Sequence, residues 1–349
     1  MESTGSASPI DSAAHSTTLP GMRLRTIAML LALAGVPAPA HLGAQVEAPP
    51  AHGDRPPLFA TAAPGEAKAL ADGGVAIEHD RPAAQVLAQH RLLAKALAGL
   101  QPQRPGVVDA YVVAVALDSD PVFAREAREA GRVLARRYDA AGRSVTLAGP
   151  DARGGAALAM GSPASLDAAL ARVAELIDPA EDVLVLYTTS HGAELGVVYN
   201  DGNSGFGLIS PARLWTTLSQ LGLRNRLLMI SACYSGAFVP MLQSDTTAIV
   251  TASAADRTSF GCQADSDWTF FGDALVNRAL RKPQPLAHAA AEARAAIAGW
   301  EKDGGIEPSL PQVSIGAGAG RWLAALDARA PRMAGAPVGR PAITQLQED

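Results

Sequence analysis

Asp182-Val183-Leu184-Val185-Leu186-Tyr187-Thr188-Thr189-Ser190-His191-Gly192 is an apolar run that stops on a polar turn closed by glycine. A run of this length and composition reads as a strand buried on both faces. Val107 to Leu117, Arg143 to Leu147, Leu227 to Ala232, Thr247 to Ala252 and Gln312 to Ile315 read as strands in the same way. Between them lie stretches with helical spacing: Pro121 to Tyr138, Pro163 to Ile177, Pro211 to Leu221, Phe270 to Leu280 and Leu286 to Trp300. Proline at a first helical turn costs nothing, because its missing N–H would have had no partner there. Strands alternating with helices predict parallel pairing, hence an α/β fold with a mostly parallel central sheet and helices on both faces. In such sheets a site forms beyond the carboxyl ends of the strands.

Two of those ends carry reactive groups. The third strand runs out into Ser190-His191-Gly192, and the fourth into Ala232-Cys233-Tyr234-Ser235-Gly236. If these strands are neighbours, the imidazole and the thiol meet at one edge. A free thiol has a pKa near about 8.5, and an adjacent imidazole favours the thiolate or takes its proton. The same imidazole then protonates a leaving amine. The backbone N–H groups of Gly192 and Cys233 are candidates for an oxyanion hole. Taken singly, a buried cysteine is a small core residue and a strand-end histidine a hydrogen-bonded one. Their shared position at the sheet edge favours catalysis.

These motifs resemble those of the legumain-like cysteine peptidases, relatives of caspases and gingipains. A strand ending in Ser190-His191-Gly192 and one ending in Ala232-Cys233-Tyr234-Ser235-Gly236 carry the resemblance, in the family's order and spacing. The stretch Thr251 to Cys262 and the cluster Phe271-Gly272-Asp273 extend it, so that it covers about residues 107–320. The resemblance implies a caspase-like three-layer sandwich and peptide-bond hydrolysis through a Cys233 thioester, with His191 as general acid and base. It implies no metal and no organic cofactor. It also implies a polar substrate pocket, with Arg125, Ser259 and Asp273 at the matching positions and cleavage after Asn or Asp. Ser231 stands where the family has an acidic pocket residue, and the family's histidine-orienting Asn falls near Phe123, so no third catalytic member is identified. The same dyad admits transfer to an amine, as a transpeptidase or ligase. A caspase-like binding domain without turnover is the reading from a different class.

The rest of the chain bounds these expectations. Hydrophobic residues at 48% and charged residues at 18% are a globular balance. A net charge of −5 leaves no basic footprint for nucleic acid, so the expected partner is a peptide or protein substrate. Met22-Arg23-Leu24-Arg25, the apolar run Ile27 to Val36 and the small residues through Ala44 have the order of a secretory signal peptide with its start at Met22. The run is too short to span a membrane. A periplasmic or secreted location is therefore expected. Residues 45–80 read as a Pro/Ala/Gly-rich linker and 81–100 as a helix, with 45–105 a candidate propeptide, 106–325 the peptidase domain and 326–349 a flexible tail. Of the two cysteines, Cys262 has two readings, a packing residue or a disulfide partner of Cys233. Asn200-Asp201-Gly202-Asn203-Ser204-Gly205 has the composition of a calcium loop but lacks its distal Glu. No zinc spacing, dinucleotide glycine pattern or Gly-x-Ser-x-Gly elbow is present.

Overall fold

Six strands build the main sheet: β2 (Ala110–Ala116), β3 (Ser144–Leu147), β4 (Val183–Thr189), β8 (Arg226–Ser231), β9 (Thr247–Thr251) and β10 (Val313–Ile315). Their spatial order is β10-β9-β8-β4-β2-β3. Every pairing is parallel except β9 with β10. The structure is a computed structural model that describes residues 61–149, 158–202 and 204–347. The signal-peptide reading at 22–44 lies outside the described residues.

The sheet is central because its strands are apolar throughout. β2, β4, β8 and β9 are buried along their whole length. Successive side chains leave a strand on opposite faces, and two cores result. Val112, Val185, Tyr187, Met229 and Val250 pack on one face against α3 (Pro121–Arg137), α7 (Leu286–Asp303) and α8 (Ala319–Asp327). Tyr111, Val113, Leu184, Leu186, Leu228 and Ile249 pack on the other against α4 (Pro163–Leu176) and α5 (Pro211–Gln220). The result is the three-layer sandwich that the alternation predicts. Helix starts follow local chemistry. Ser162 and Ser165 form a capping box at α4, and Ser210 accepts from the Arg213 N–H at α5.

Three features depart from the sequence reading. A second, antiparallel sheet follows His191: β5 (Gly192–Ala193), β6 (Gly196–Asn200) and β7 (Gly205–Ile209). Its strands are short and glycine-broken, so they give no periodic signal. Part of the predicted linker is regular, as α1 (Pro64–Asp72) and β1 (Ala76–Glu78), and β1 pairs with β7 as the sheet's outer strand. The helix predicted from 81 to 100 is α2 (Ala83–Ala98). Finally, residues 338–342 do not hang free as the tail's composition suggests. Trp268 Nε1–H donates to the Val338 carbonyl at 2.8 Å, and the Ala342 N–H donates to Asp273 Oδ2 at 2.9 Å. No helix among the described residues is long and apolar enough to cross a membrane.

Candidate active site

The register of the sheet decides what meets at its edge. β4 and β8 are adjacent and parallel, with Thr188 level with Ile230 and Thr189 level with Ser231. Two residues further along each chain come His191 and Cys233, so the two leave the sheet at the same height. The Ser190 N–H donates to the Ser231 carbonyl at 3.1 Å, carrying the pairing one step past the strands. On the other side of β4, β2 is in register through Ala116 and Thr189. Its continuation brings Asp118 and Asp120 to the same edge.

His191 is held from that side. Its Nε2 lies 3.2 Å from Asp120 Oδ2. Asp120 is the residue before α3, where an Asp side chain ordinarily caps the helix. Here it makes no capping hydrogen bond. Its own N–H is bonded instead by Asp118 Oδ1 at 2.9 Å, and its carboxylate turns to the imidazole. The edge of the Phe123 ring meets His191, with centroids 4.9 Å apart. Burial disfavours the charged imidazole, but the hydrogen bonds to Asp120 and Cys262 and the charge of Asp118 outweigh it, and the pKa is pushed up to about 10. His191 is therefore an imidazolium at neutral pH. Asp118, Asp120 and His191 each bring one ligand atom within 4.8 Å of the others, close enough to hold a cation.

Cys233 is placed by its turn. Tyr234, immediately after it, has φ +58°, a left-handed conformation that costs a non-glycine residue about 1–2 kcal/mol. The chain there turns sharply into the short 3₁₀ helix Ser235–Phe238. The turn is tied to β9 by buried serines: the Ser235 N–H donates to Ser253 Oγ, and the Ser253 N–H to Ser235 Oγ, each at 3.2 Å. The Cys233 sulfur accepts from the Ser259 N–H at 3.2 Å and lies 3.6 Å from Ser259 Oγ. Gly192 touches the Cys233 backbone directly. A Cβ on Gly192 would lie 2.0 Å from the Cys233 carbonyl oxygen and 2.8 Å from its nitrogen. Only glycine permits that approach, and it brings the two proposed oxyanion donors side by side.

The residues matched to a substrate pocket each have partners of their own. Ser259 is at the sulfur. Ser231 is buried and donates to Glu126 Oε1 at 2.9 Å. Arg125 donates to the Ala264 carbonyl at 2.7 Å and to the Ser266 carbonyl, holding the loop after Cys262. Asp273 is fully buried and accepts from Asn277 Nδ2 at 2.8 Å and Arg278 Nε at 3.1 Å. Both cysteines are free. Cys262 packs against the small cluster around Phe123 and helps to raise the His191 pKa. Asp120 is the site residue that sequence reasoning missed. An Asp before a proline-led helix has the signature of a cap, and only its place at the end of β2, beside the His191 strand, marks it as more.

The family model of the Peptidase C13 family, the legumain family, matches residues 165–320, which include both His191 and Cys233. Among solved structures, caspase-1 from Spodoptera frugiperda aligns over 62% of this chain and 92% of its own length, with 13% identity and a TM-score of 0.39. No curated protein matches the chain.

Proposed function

We propose that this chain, whose residues 165–320 match the Peptidase C13 family model, is a cysteine endopeptidase that cleaves through Cys233 and His191. The observation that carries the reading is the register. Adjacent parallel strands deliver His191 and Cys233 to the same height of the carboxyl edge, and Asp120 fixes the imidazole there. In the reaction, the Cys233 thiolate adds to the scissile carbonyl. The oxyanion is received by the Gly192 and Cys233 N–H groups. His191, held by Asp120, gives a proton to the departing amine. The C–N bond breaks and a thioester remains. Water then attacks the thioester, its proton passes to His191, and the acid leaves Cys233 free.

The first test is covalent labelling of reduced protein with peptidyl electrophiles carrying Asn or Asp beside the warhead. The expected adduct is on Cys233 by mass spectrometry and is lost in His191→Ala. An adduct on Cys262 alone would overturn the assignment. Preference for Asn or Asp is part of the proposal, and the pair of probes measures it. Export through residues 22–44 is proposed from their basic, apolar, small-residue order. N-terminal sequencing of protein recovered outside the cytoplasm checks it.

A positioning role for Asp120 has its own signature. In Asp120→Asn the imidazolium loses a counter-charge, so its pKa falls and the basic limb of kcat/KM moves to lower pH. Turnover should drop by about 10²-fold, the scale of a lost acid–base partner. The link to stability has a definite sign. His191 titrates at about 10 in the fold against an ordinary 6.5. Its contribution is thus complete below pH 6.5 and lost as pH rises through 10. Thermal melts of wild type and Asp120→Asn should converge across that window.

A further inference from the structure

We propose that a cleft beside the His191 turn binds the leaving side of a peptide substrate, the two residues after the cut, through one apolar side chain with a basic neighbour. The inference rests on the peptidase reading above. The cleft has a volume of about 310 Å³, and its lining includes Glu194 and Leu195, Ala237 and Met241, and Lys68 of α1. That volume suits a side chain or two at the lower end of the range for ligand sites.

Part of the lining follows His191 and Cys233 closely in the chain, and the rest comes from Lys68 and Asp72 of α1 and from Ser210 to Ala212 at the start of α5. Glu194 and Leu195 form the turn between β5 and β6, three and four residues past His191. Ala237 and Met241 lie on the two short helices that follow Cys233, Ser235–Phe238 and Val239–Leu242. The position also fits the order of bond breaking. His191 protonates the departing nitrogen, so the segment bearing that nitrogen lies across the His191 turn. The acyl part stays on the sulfur, which lies against Ser259. Ser259 is no part of the cleft's lining. The two sides of the cut thus have separate surfaces.

The lining selects the occupant. Met241 is 45% exposed, a large apolar side chain facing water at the cleft. An apolar substrate group covers it and displaces that water. The charges leave one residual sign. Lys68 is paired with Asp72, which also accepts from Ser210 Oγ at 2.7 Å, so those two charges offset each other. Glu194 is exposed and has no ion-pair partner among the described residues. A basic residue next to the apolar one complements it.

The test uses internally quenched peptides randomised before the cut and carrying Leu-Arg, Leu-Glu, Gly-Arg or Gly-Gly after it. Wild type should cleave the Leu-Arg pool about tenfold faster, in kcat/KM, than the Gly-Gly pool. In Met241→Ser the advantage of Leu over Gly should shrink to within about twofold. In Glu194→Lys the preference of Arg over Glu should invert. Melting curves verify that each variant is folded, and the two variants report on different terms. Wild type that cleaves all pools equally overturns this inference and leaves the peptidase reading intact. Wild type that cleaves no pool and is not labelled at Cys233 overturns both.

Discussion

Cys233→Ala should lose turnover by about 10⁵-fold or more, while Cys262→Ala keeps most of it. The comparison is informative because both thiols border the site: Cys233 receives the Ser259 N–H, and Cys262 acts on the His191 pKa. Three features favour Cys233 as the attacking group. It follows β8 directly, in register with His191 across the sheet. Its backbone touches Gly192, where the oxyanion would be received. The left-handed Tyr234 turns the chain at that point. Cys262 instead packs on the Phe123 cluster. Removal of one member of a unit that acts together costs nearly as much as removal of all, so His191→Ala and the double variant should be about as slow as Cys233→Ala. Steady-state and single-turnover rates on one peptide measure this. Full activity in Cys233→Ala with loss in Cys262→Ala would exchange the two roles.

The second large effect is on stability. Glu126 is fully buried on α3, and its carboxylate accepts from four donors: Tyr187 Oη–H at 2.6 Å, Ser231 Oγ–H at 2.9 Å, the Thr269 N–H at 2.9 Å and Thr269 Oγ1–H at 2.8 Å. Gly272 closes over it, with room for no side chain, since a Cβ there would lie 2.1 Å from Glu126 Oε2. Glu126→Ala strands these donors in the interior, which costs about 3–5 kcal/mol. For a chain of this size that lowers Tm by roughly 4–7 °C. Glu126→Gln keeps the volume and one acceptor oxygen, and its loss should be smaller. Calorimetry of the two variants checks the order, and an unchanged Tm in Glu126→Ala would remove this carboxylate from the account of the fold. The effect reaches the site, because Ser231 is two residues before Cys233 and loses its partner.

The fold was legible where burial is complete. Strands β2, β4, β8 and β9 are apolar on both faces, and their helices open on proline or serine, so run length and caps mark both. The hairpin after His191 was not legible. Gly196, Gly205 and Gly207 interrupt strands that are only partly buried, and neither period survives. The segment Gly272–Arg278 reads as an ordinary helix but is wound as a π-helix where it passes Glu126. In the site, His191 and Cys233 stood out because each sits alone at the end of an apolar run. Asp120 did not, because an Asp before a proline-led helix already has a sufficient local explanation. Ser231 and Asp273 show the limit of matching by position. A matched position does not tell what a side chain faces, and here the two face Glu126 and the pair Arg278 and Asn277.

The pairing of β4 with β8 also bears on how such a protein can change. The height at which His191 and Cys233 leave the sheet is set by the pairing of β4 with β8, in which residues 193–224 between them take no part. Those residues can change in length or identity while the proposed reacting pair keeps its register. Recognition can therefore drift without the chemistry being rebuilt.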